Sequence, residues 1–291
     1  MWQGSAETVC GTAPDRTAIH ALPLTQGGTG ATLRALSPVR DEHSYTDRDS
    51  HPEGDSPRAM LKPATIDIWS VDARDGGWDR WAGTLDGRER WRAAELRKPD
   101  AYHRFVRTRA ALRSVLAGYL GGSAAEVPIG YGRFGKPELV GGRLQFNVSH
   151  SGPRALIAVS HAPVGIDLER VESECGALRW LEAAILHPLE HAVLGSLEAA
   201  TRVRAFYQTW VQKESYVKML GVGLVKHLAH CRVISAAAGS EAFVADAHEE
   251  GGRPSRNRLL DVTIADAYAA SVCTPLESAR LVMRTARPGR A

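Results

Sequence analysis

The stretch Leu144-Gln145-Phe146-Asn147-Val148-Ser149-His150-Ser151-Gly152-Pro153-Arg154-Ala155-Leu156-Ile157-Ala158-Val159-Ser160-His161-Ala162-Pro163-Val164-Gly165-Ile166-Asp167-Leu168-Glu169 decides the architecture. It holds three short runs, Leu144 to Val148, Ala155 to Val159 and Val164 to Leu168, separated by turn signals at Ser151-Gly152-Pro153 and His161-Ala162-Pro163. Runs of this length, rich in β-branched residues and bounded by Gly and Pro, read as strands. Turns this tight leave no room for a crossover helix, so the strands are expected to be mostly antiparallel. In the third run side chains at i and i+2 share a face, which points Asp167 and Glu169 the same way and Leu168 into the core.

Working outward, Thr65 to Val71 alternates as a strand. Leu85 to Leu96 and Asp100 to Leu120 read as helices, the second with Phe105, Val106, Ala110, Leu112, Leu116 and Leu120 near helical spacing and Gly121-Gly122 as its stop. Beyond the quoted stretch, Leu178 to Leu194 and Ala199 to Leu220 are helical, and Cys231 to Ser235, Leu259 to Ile264 and Tyr268 to Cys273 close as strands. Helices and strands therefore recur in two batches. The expected class is α+β, in two pseudo-symmetric halves, each a small, mostly antiparallel sheet packed with helices. The expected division is a disordered extension over 1–60, rich in Gly, Ser, Thr, Pro and Asp without apolar period, a first half over 61–162, a second over 163–282 and a flexible tail over 283–291.

Composition narrows the classes. Of 291 residues, 44% are hydrophobic and 24% charged, ordinary for a soluble globular chain. Cys10, Cys175, Cys231 and Cys273 lie far apart without a C-x-x-C pair, so neither a zinc ribbon nor a disulfide framework is indicated and a reducing cytoplasm fits. No basic segment precedes an apolar core at the N-terminus, and no apolar run approaches a membrane span, so secretion and membrane insertion are not expected. Residues 1–59 carry five Arg against eight Asp and Glu, leaving 31 basic against 25 acidic residues in the rest. A moderately basic body suits a polyanionic small molecule or an acidic protein partner; without a Lys/Arg block or an aromatic stacking motif, nucleic acid is not an expected partner.

Several motifs carry chemistry. Trp210-x-x-Lys213-Glu214-x-x-x-Lys218 places Glu214 and Lys218 four apart on one helix face. Asp167, Glu169 and Glu214 would supply hard oxygens for Mg²⁺, which keeps some water and takes a few carboxylates plus phosphate oxygens. Taken singly, the acids read as an exposed strand edge, the Lys/Glu run as a solvated helix, and Phe206 with Trp210 as core; their co-occurrence is what points to phosphate chemistry. Gly130-x-x-x-x-Gly135-Lys136 begins like a P-loop but has Pro137 where Ser or Thr must stand, so Lys136 is left as a turn residue, aimed at a phosphate or incidental. His187-Pro188-Leu189-Glu190-His191 satisfies H-x-x-E-H, a zinc-hydrolase pattern, without an identifiable third ligand; a helix opening at Pro188 is the competing reading. Asn147-Val148-Ser149-His150-Ser151-Gly152 offers hydroxyls and an imidazole at a strand end, suited to phosphate or simply to capping a turn.

Gly135-Lys136-Pro137, Phe146-Asn147-Val148-Ser149-His150-Ser151, Val164-Gly165-Ile166-Asp167-Leu168-Glu169, Phe206-Tyr207-x-x-Trp210-x-x-Lys213-Glu214-Ser215-x-x-Lys218 and Gly221-x-Gly223-Leu224, in that order, resemble the 4′-phosphopantetheinyl transferases of the monomeric, two-halved type that activates peptide and polyketide synthases. The resemblance implies Mg²⁺-dependent transfer of the phosphopantetheine arm of coenzyme A to a Ser of an apo carrier protein, releasing adenosine 3′,5′-bisphosphate, at a cleft between the halves. It further implies Asp167, Glu169 and Glu214 as Mg²⁺ ligands and Glu214 also as a candidate base. Lys218 would neutralise charge on the leaving phosphate. Lys136, Ser149 and His150, the last cationic, would grip coenzyme phosphates, with Arg88, Arg92 and Arg104 as candidates for the 3′-phosphate. Glu190 stands as a weaker match to a further family acid. The rival reading from another class is a catalytically silent module that binds coenzyme A or a carrier protein.

Overall fold

The computed structural model describes residues 61–172, 178–222, 228–235, 242–246, 257–265 and 267–289. The expected extension over 1–60, Cys10, Cys175 and the Gly223-Leu224 end of the last motif lie outside the described residues.

β1 (Thr65–Asp72) leads through a 3₁₀ segment into α1 (Gly87–Ala94) and α2 (Pro99–Leu120); a hairpin of β2 (Ile129–Tyr131) and β3 (Pro137–Leu139) precedes β4 (Gln145–Ser151) and β5 (Arg154–Ser160). β6 (Gly165–Arg170), α3 (Leu178–Ile185), α4 (Pro188–Gly195) and α5 (Ala199–Leu220) follow, then β7 (Cys231–Ser235), β8 (Ala242–Asp246), β9 (Arg258–Asp261), β10 (Tyr268–Thr274) and β11 (Arg280–Thr285). Two larger sheets result, in the orders β11-β1-β5-β4 and β6-β10-β9-β8-β7. β4 and β5 pair antiparallel around the Gly152-Pro153 turn, as the tight connection requires. The β1–β11 pairing is parallel and the other pairings among the described strands are antiparallel. The fold is α+β.

Period-two alternation makes each sheet two-faced, and the faces stack. Trp69, Val71, Phe146, Ile157 and Val159 pack with Phe105, Val106, Leu112 and Leu116 of α2. The opposite faces of the two sheets meet each other through Ile66, Ile68, Leu156 and Ala158 on one side and Ile166, Leu168, Ala270 and Val272 on the other. The outer face of the second sheet, with Leu259, Ala269 and Cys273, carries Phe206, Tyr207, Trp210 and Val211 of α5. The order of layers is helix, sheet, sheet, helix, and each fully buried large apolar side chain contributes about 1.5–3 kcal/mol. Both long helices end at a glycine of positive φ, Gly121 at 70° and Gly221 at 71°, which terminates the helix where other residues would be strained.

Gly165 sets how closely β6 approaches α5. A Cβ at this position would stand under 3.0 Å from Ser215 O, Met219 N and Met219 Cα, all backbone, so only a residue without a side chain lets the strand lie against the helix. That approach brings the acid face of β6 to the face of α5 that carries Glu214 and Lys218.

The structure departs from the sequence expectations at four places. The helix expected over 178–194 is two helices, because Pro188 has no N–H to continue the first; it opens α4 instead, with His187 as N-cap. Residues 283–285, expected in a flexible tail, belong to β11, and the strand at 280–285 returns from the second half to pair with β1 of the first sheet. The strand expected over Leu259 to Ile264 ends at Asp261. β2, β3 and β8 add to the expected strands. Among the described residues no helix is long and apolar enough to cross a membrane.

Candidate active site

β4 and β6 are edge strands of different sheets, and β6 presents unpaired N–H groups along its outer edge. Such groups must find partners. They find side chains: Asn147 Oδ1 accepts from Ile166 N at 2.8 Å, Ser149 Oγ from Leu168 N at 3.3 Å and Ser151 Oγ from Arg170 N at 3.0 Å. Alternate residues of β4 thus replace the carbonyls of a missing strand. The two hydroxyls then donate onward, Ser149 to Asp167 Oδ1 and Ser151 to Glu169 Oε2, each at 2.9 Å.

Asp167 and Glu169 do share one face, as period two dictates, and Leu168 does point into the core; both acids are 2% exposed. Lys218 reaches this face from α5, donating to Ser149 Oγ at 2.9 Å and forming a short ion pair with Asp167 Oδ1. Asp167 Oδ2 is buried without a hydrogen-bond partner. Glu214, one turn before Lys218, is half-buried; burial and then the Asp167 charge push its carboxyl up to about 7. Burial and Asp167 also raise Glu169 well above the usual carboxylate range. Burial works to lower Lys218, but Asp167, Glu214 and Glu169 outweigh it and hold the ammonium protonated. Glu169 and Glu214, buried and beside the Asp167 charge, therefore ionise less readily than free carboxyls even with Lys218 close by. Among the described residues no group of three His, Cys, Asp or Glu is arranged to hold a metal ion, and Lys218 lies against Asp167 instead.

The remaining expected site residues divide. His150, alternating with Ser149, faces α2. Burial first, then Arg104, Lys218 and Arg109, push its imidazole down to about 4, so it is neutral at pH 7 rather than cationic. A group whose folded pKa is depressed stabilises the fold above its unfolded value near 6.5 and loses that contribution as pH falls toward 4. His150→Gln is therefore expected to flatten the acid-side loss of Tm between about pH 6.5 and pH 4, worth at most about 3 kcal/mol; thermal melts across that window check it, and parallel curves for variant and wild type would refute the assignment.

Lys136, expected to aim at a phosphate from its turn, is instead turned inward. It is 5% exposed, and its ammonium donates to Met219 O at 3.0 Å and Val164 O at 3.4 Å, tying the β2–β3 hairpin to the end of α5. Arg88 and Arg92 are exposed on α1, Arg88 over the Tyr131 ring at 3.8 Å. Arg104 lines an open cleft of about 490 Å³ together with Arg74, His103, Arg107, the Gly152-Pro153 turn and Arg170. Arg170 follows Glu169 and ends β6. Sequence reasoning missed Arg74, Arg107 and Arg170, which are braced by Asp72, Asp79 and Glu172. Strand alternation puts Arg170 on the face opposite Asp167 and Glu169, so the acid pattern did not point to it.

The zinc reading of His187-Glu190-His191 fails on occupancy. Glu190 Oε2 accepts from His187 N at 2.8 Å and pairs with Lys213 at 2.5 Å, while Oε1 accepts from Val233 N at 2.8 Å. Both oxygens are thus engaged in holding the helix start, Lys213 and β7. Lys213, fully buried, also donates to Ile185 O at 2.8 Å and Leu228 O at 3.2 Å. Lys213→Met is expected to cost about 3–5 kcal/mol, because it strands a buried carboxylate; urea denaturation measures it, and a loss below about 1 kcal/mol would contradict the burial.

The 4′-phosphopantetheinyl transferase superfamily model matches residues 163–273, which contain the acid strand and all of α5. The chain is 34% identical over 178 residues to the 4′-phosphopantetheinyl transferase HetI of Nostoc sp. (strain PCC 7120), covering 58% of this chain and 74% of that one. It is 27% identical over 150 residues to a 4′-phosphopantetheinyl transferase of Bacillus subtilis, covering 51% and 66%. Over 93 residues it is 34% identical to the 4′-phosphopantetheinyl transferase AcpT of Escherichia coli K12, covering 31% and 47%. With the Asp167–Glu169 face and Lys218 assembled within the matched residues, and with 34% identity over 74% of the Nostoc protein, the chain belongs to the 4′-phosphopantetheinyl transferase superfamily.

Proposed function

We propose that the protein transfers the 4′-phosphopantetheine arm of coenzyme A to a serine of an apo carrier protein, in a Mg²⁺-dependent reaction that releases adenosine 3′,5′-bisphosphate. The observation that carries this reading is the buried acid face of β6 closed by Lys218, with Arg170 at the end of the same strand lining a basic cleft. In the reaction the carrier Ser oxygen forms a bond to the pyrophosphate phosphorus that bears pantetheine. The bond from that phosphorus to the bridging oxygen breaks, and the Ser proton passes to a base.

The donor set fits Mg²⁺. It offers hard carboxylate oxygens, an orphaned Asp167 Oδ2, and two acids that burial first, and then the neighbouring Asp167 charge, hold above the usual carboxylate range. Mg²⁺ completes its octahedron with water and phosphate oxygens, so a closed cage of protein ligands is not required. Asp167, Glu169 and Glu214 would hold the ion, which when bound neutralises pyrophosphate charge. Lys218 stands beside them to stabilise charge on the leaving phosphate. Glu214, near 7 in the metal-free protein, is the candidate base, directly or through water. Arg104 and the neighbouring cleft arginines suit the coenzyme phosphates, and a bound polyanion would raise the His150 imidazole toward its charged form. Arg88 and Arg92 are placed to extend that basic surface. The reading keeps a monomer working in a reducing cytoplasm; Cys231 and Cys273 are buried free thiols, which such a setting suits.

Incubation with coenzyme A, Mg²⁺ and several apo carrier proteins, followed by intact mass, tests the reading. A carrier gaining the mass of the phosphopantetheinyl arm, dependent on Mg²⁺, supports it. Coenzyme A binding without transfer to any carrier would leave the silent binding module in its place.

A further inference from the structure

β4 contributes three buried side chains to the same joint, and they are not equivalent. Asn147 Oδ1 only accepts, from Ile166 N. Ser149 and Ser151 accept in the same way and also donate, each fixing one carboxylate by a single oxygen: Oδ1 of Asp167 and Oε2 of Glu169. A serine hydroxyl has one proton and two lone pairs. With the lone pairs facing an N–H, the proton has one useful direction, toward the acid on the same strand. Each hydroxyl thereby engages one oxygen of its carboxylate and not the other. For Asp167 this oxygen, Oδ2, is buried and has no partner. Asp167 is itself held by both Ser149 and Lys218, whereas Ser151 is the side chain that donates to the Glu169 carboxylate.

We infer that Ser151 is a positioning residue for the cation site, its hydroxyl locking Glu169 so that Oε1 faces the space shared with Asp167 Oδ2. Ser151 touches neither cation nor coenzyme; it acts through Glu169. This rests on the Mg²⁺ reading above. The chemistry is that of outer-shell partners in metal sites, where a hydrogen bond to a ligand fixes its orientation and its loss weakens metal binding by roughly 10- to 100-fold. The same hydroxyl joins the two sheets, so the orientation of the acid is coupled to the fit of β4 against β6.

Asn147 supplies the control. Ser151→Ala and Asn147→Ala each delete one side chain that satisfies a β6 edge N–H, but only the first also releases a carboxylate. Binding is read from the free Mn²⁺ EPR signal as Mn²⁺ is titrated into the full chain with coenzyme A present, and stability from urea denaturation of the same samples. Both variants are expected to lose stability, whereas Mn²⁺ affinity is expected to fall about 10-fold in Ser151→Ala alone. Ser151→Thr, which keeps the hydroxyl, is expected to restore it. Equal Mn²⁺ affinity in wild type and Ser151→Ala, or equal weakening in Asn147→Ala, would overturn the positioning role. Absence of Mn²⁺ binding in the wild type would instead overturn the cation site on which it rests.

Discussion

Glu214→Gln and Asp167→Asn are each expected to lower kcat/KM for carrier modification by roughly three orders of magnitude while leaving a folded protein. Both changes keep the volume of the side chain and remove its charge. In Asp167→Asn the amide oxygen still accepts from Ser149, so the β4–β6 joint survives, but Lys218 loses the partner that now holds it. In Glu214→Gln the burial that pushes the acid up to about 7 becomes harmless, so the variant is expected to be as stable as the wild type or more stable. The sign follows from the raised pKa. A protonated Glu214 costs the fold nothing at low pH, and ionising it beside Asp167 costs stability as pH rises toward 7. Product mass after single turnover measures the first effect, and urea denaturation at pH 8 the second. More than a tenth of wild-type turnover in either variant would remove these carboxylates from the chemistry.

Gly165→Ala is expected to be the most damaging small substitution on the fold side. One added methyl group would meet three backbone atoms of α5, and backbone cannot rotate out of the way as a side-chain tip does. The helix must lift from the strand, separating Phe206, Tyr207, Trp210 and Val211 from the sheet beneath them. A cost of about 3–5 kcal/mol is expected, in the range of severe core disruption. Gly221→Ala is the comparison: strained only by its φ of 71°, it should cost about 1 kcal/mol. Denaturant midpoints of the two variants decide the matter, and equal small losses would mean that β6 and α5 do not lie this close. Any Gly165→Ala protein that does fold should also be impaired in transfer, because the same shift moves Lys218 away from Asp167.

What the sequence revealed and what it hid follow from the range of the interactions. Asp167, Leu168 and Glu169 were legible because a strand's alternation is local, and Glu214 with Lys218 because a helix turn is. Pro188 announced α4 by a missing N–H, although the run from Leu178 looked continuous. Lys136 was expected to aim at a phosphate from its turn, and the carbonyls that hold its ammonium instead belong to Val164 and Met219, 28 and 83 residues away. The roles of Asn147, Ser149 and Ser151 were hidden for a like reason: their partners lie on an edge strand of another sheet, nineteen residues further along in every case. The neutral state of His150 was invisible because it depends on Arg104, Arg109 and Lys218, brought near by α2 and α5. Glu190 matched a catalytic pattern in text, and its engagement by Lys213 needed the tertiary structure to appear.

The parallel ladder between Thr65–Ser70 and Arg280–Thr285 has a consequence for biogenesis. A nascent chain emerging from the ribosome exposes β1, the earliest of the described strands, with one flank bare until more than 200 further residues have been polymerised. Contacts so distant along the polymer slow the final closure and leave a sticky border in the meantime. The enzyme therefore cannot be split at its midpoint into two self-sufficient pieces: an amino-terminal fragment ending before residue 280 should self-associate, and a synthetic peptide spanning the missing strand should dissolve it.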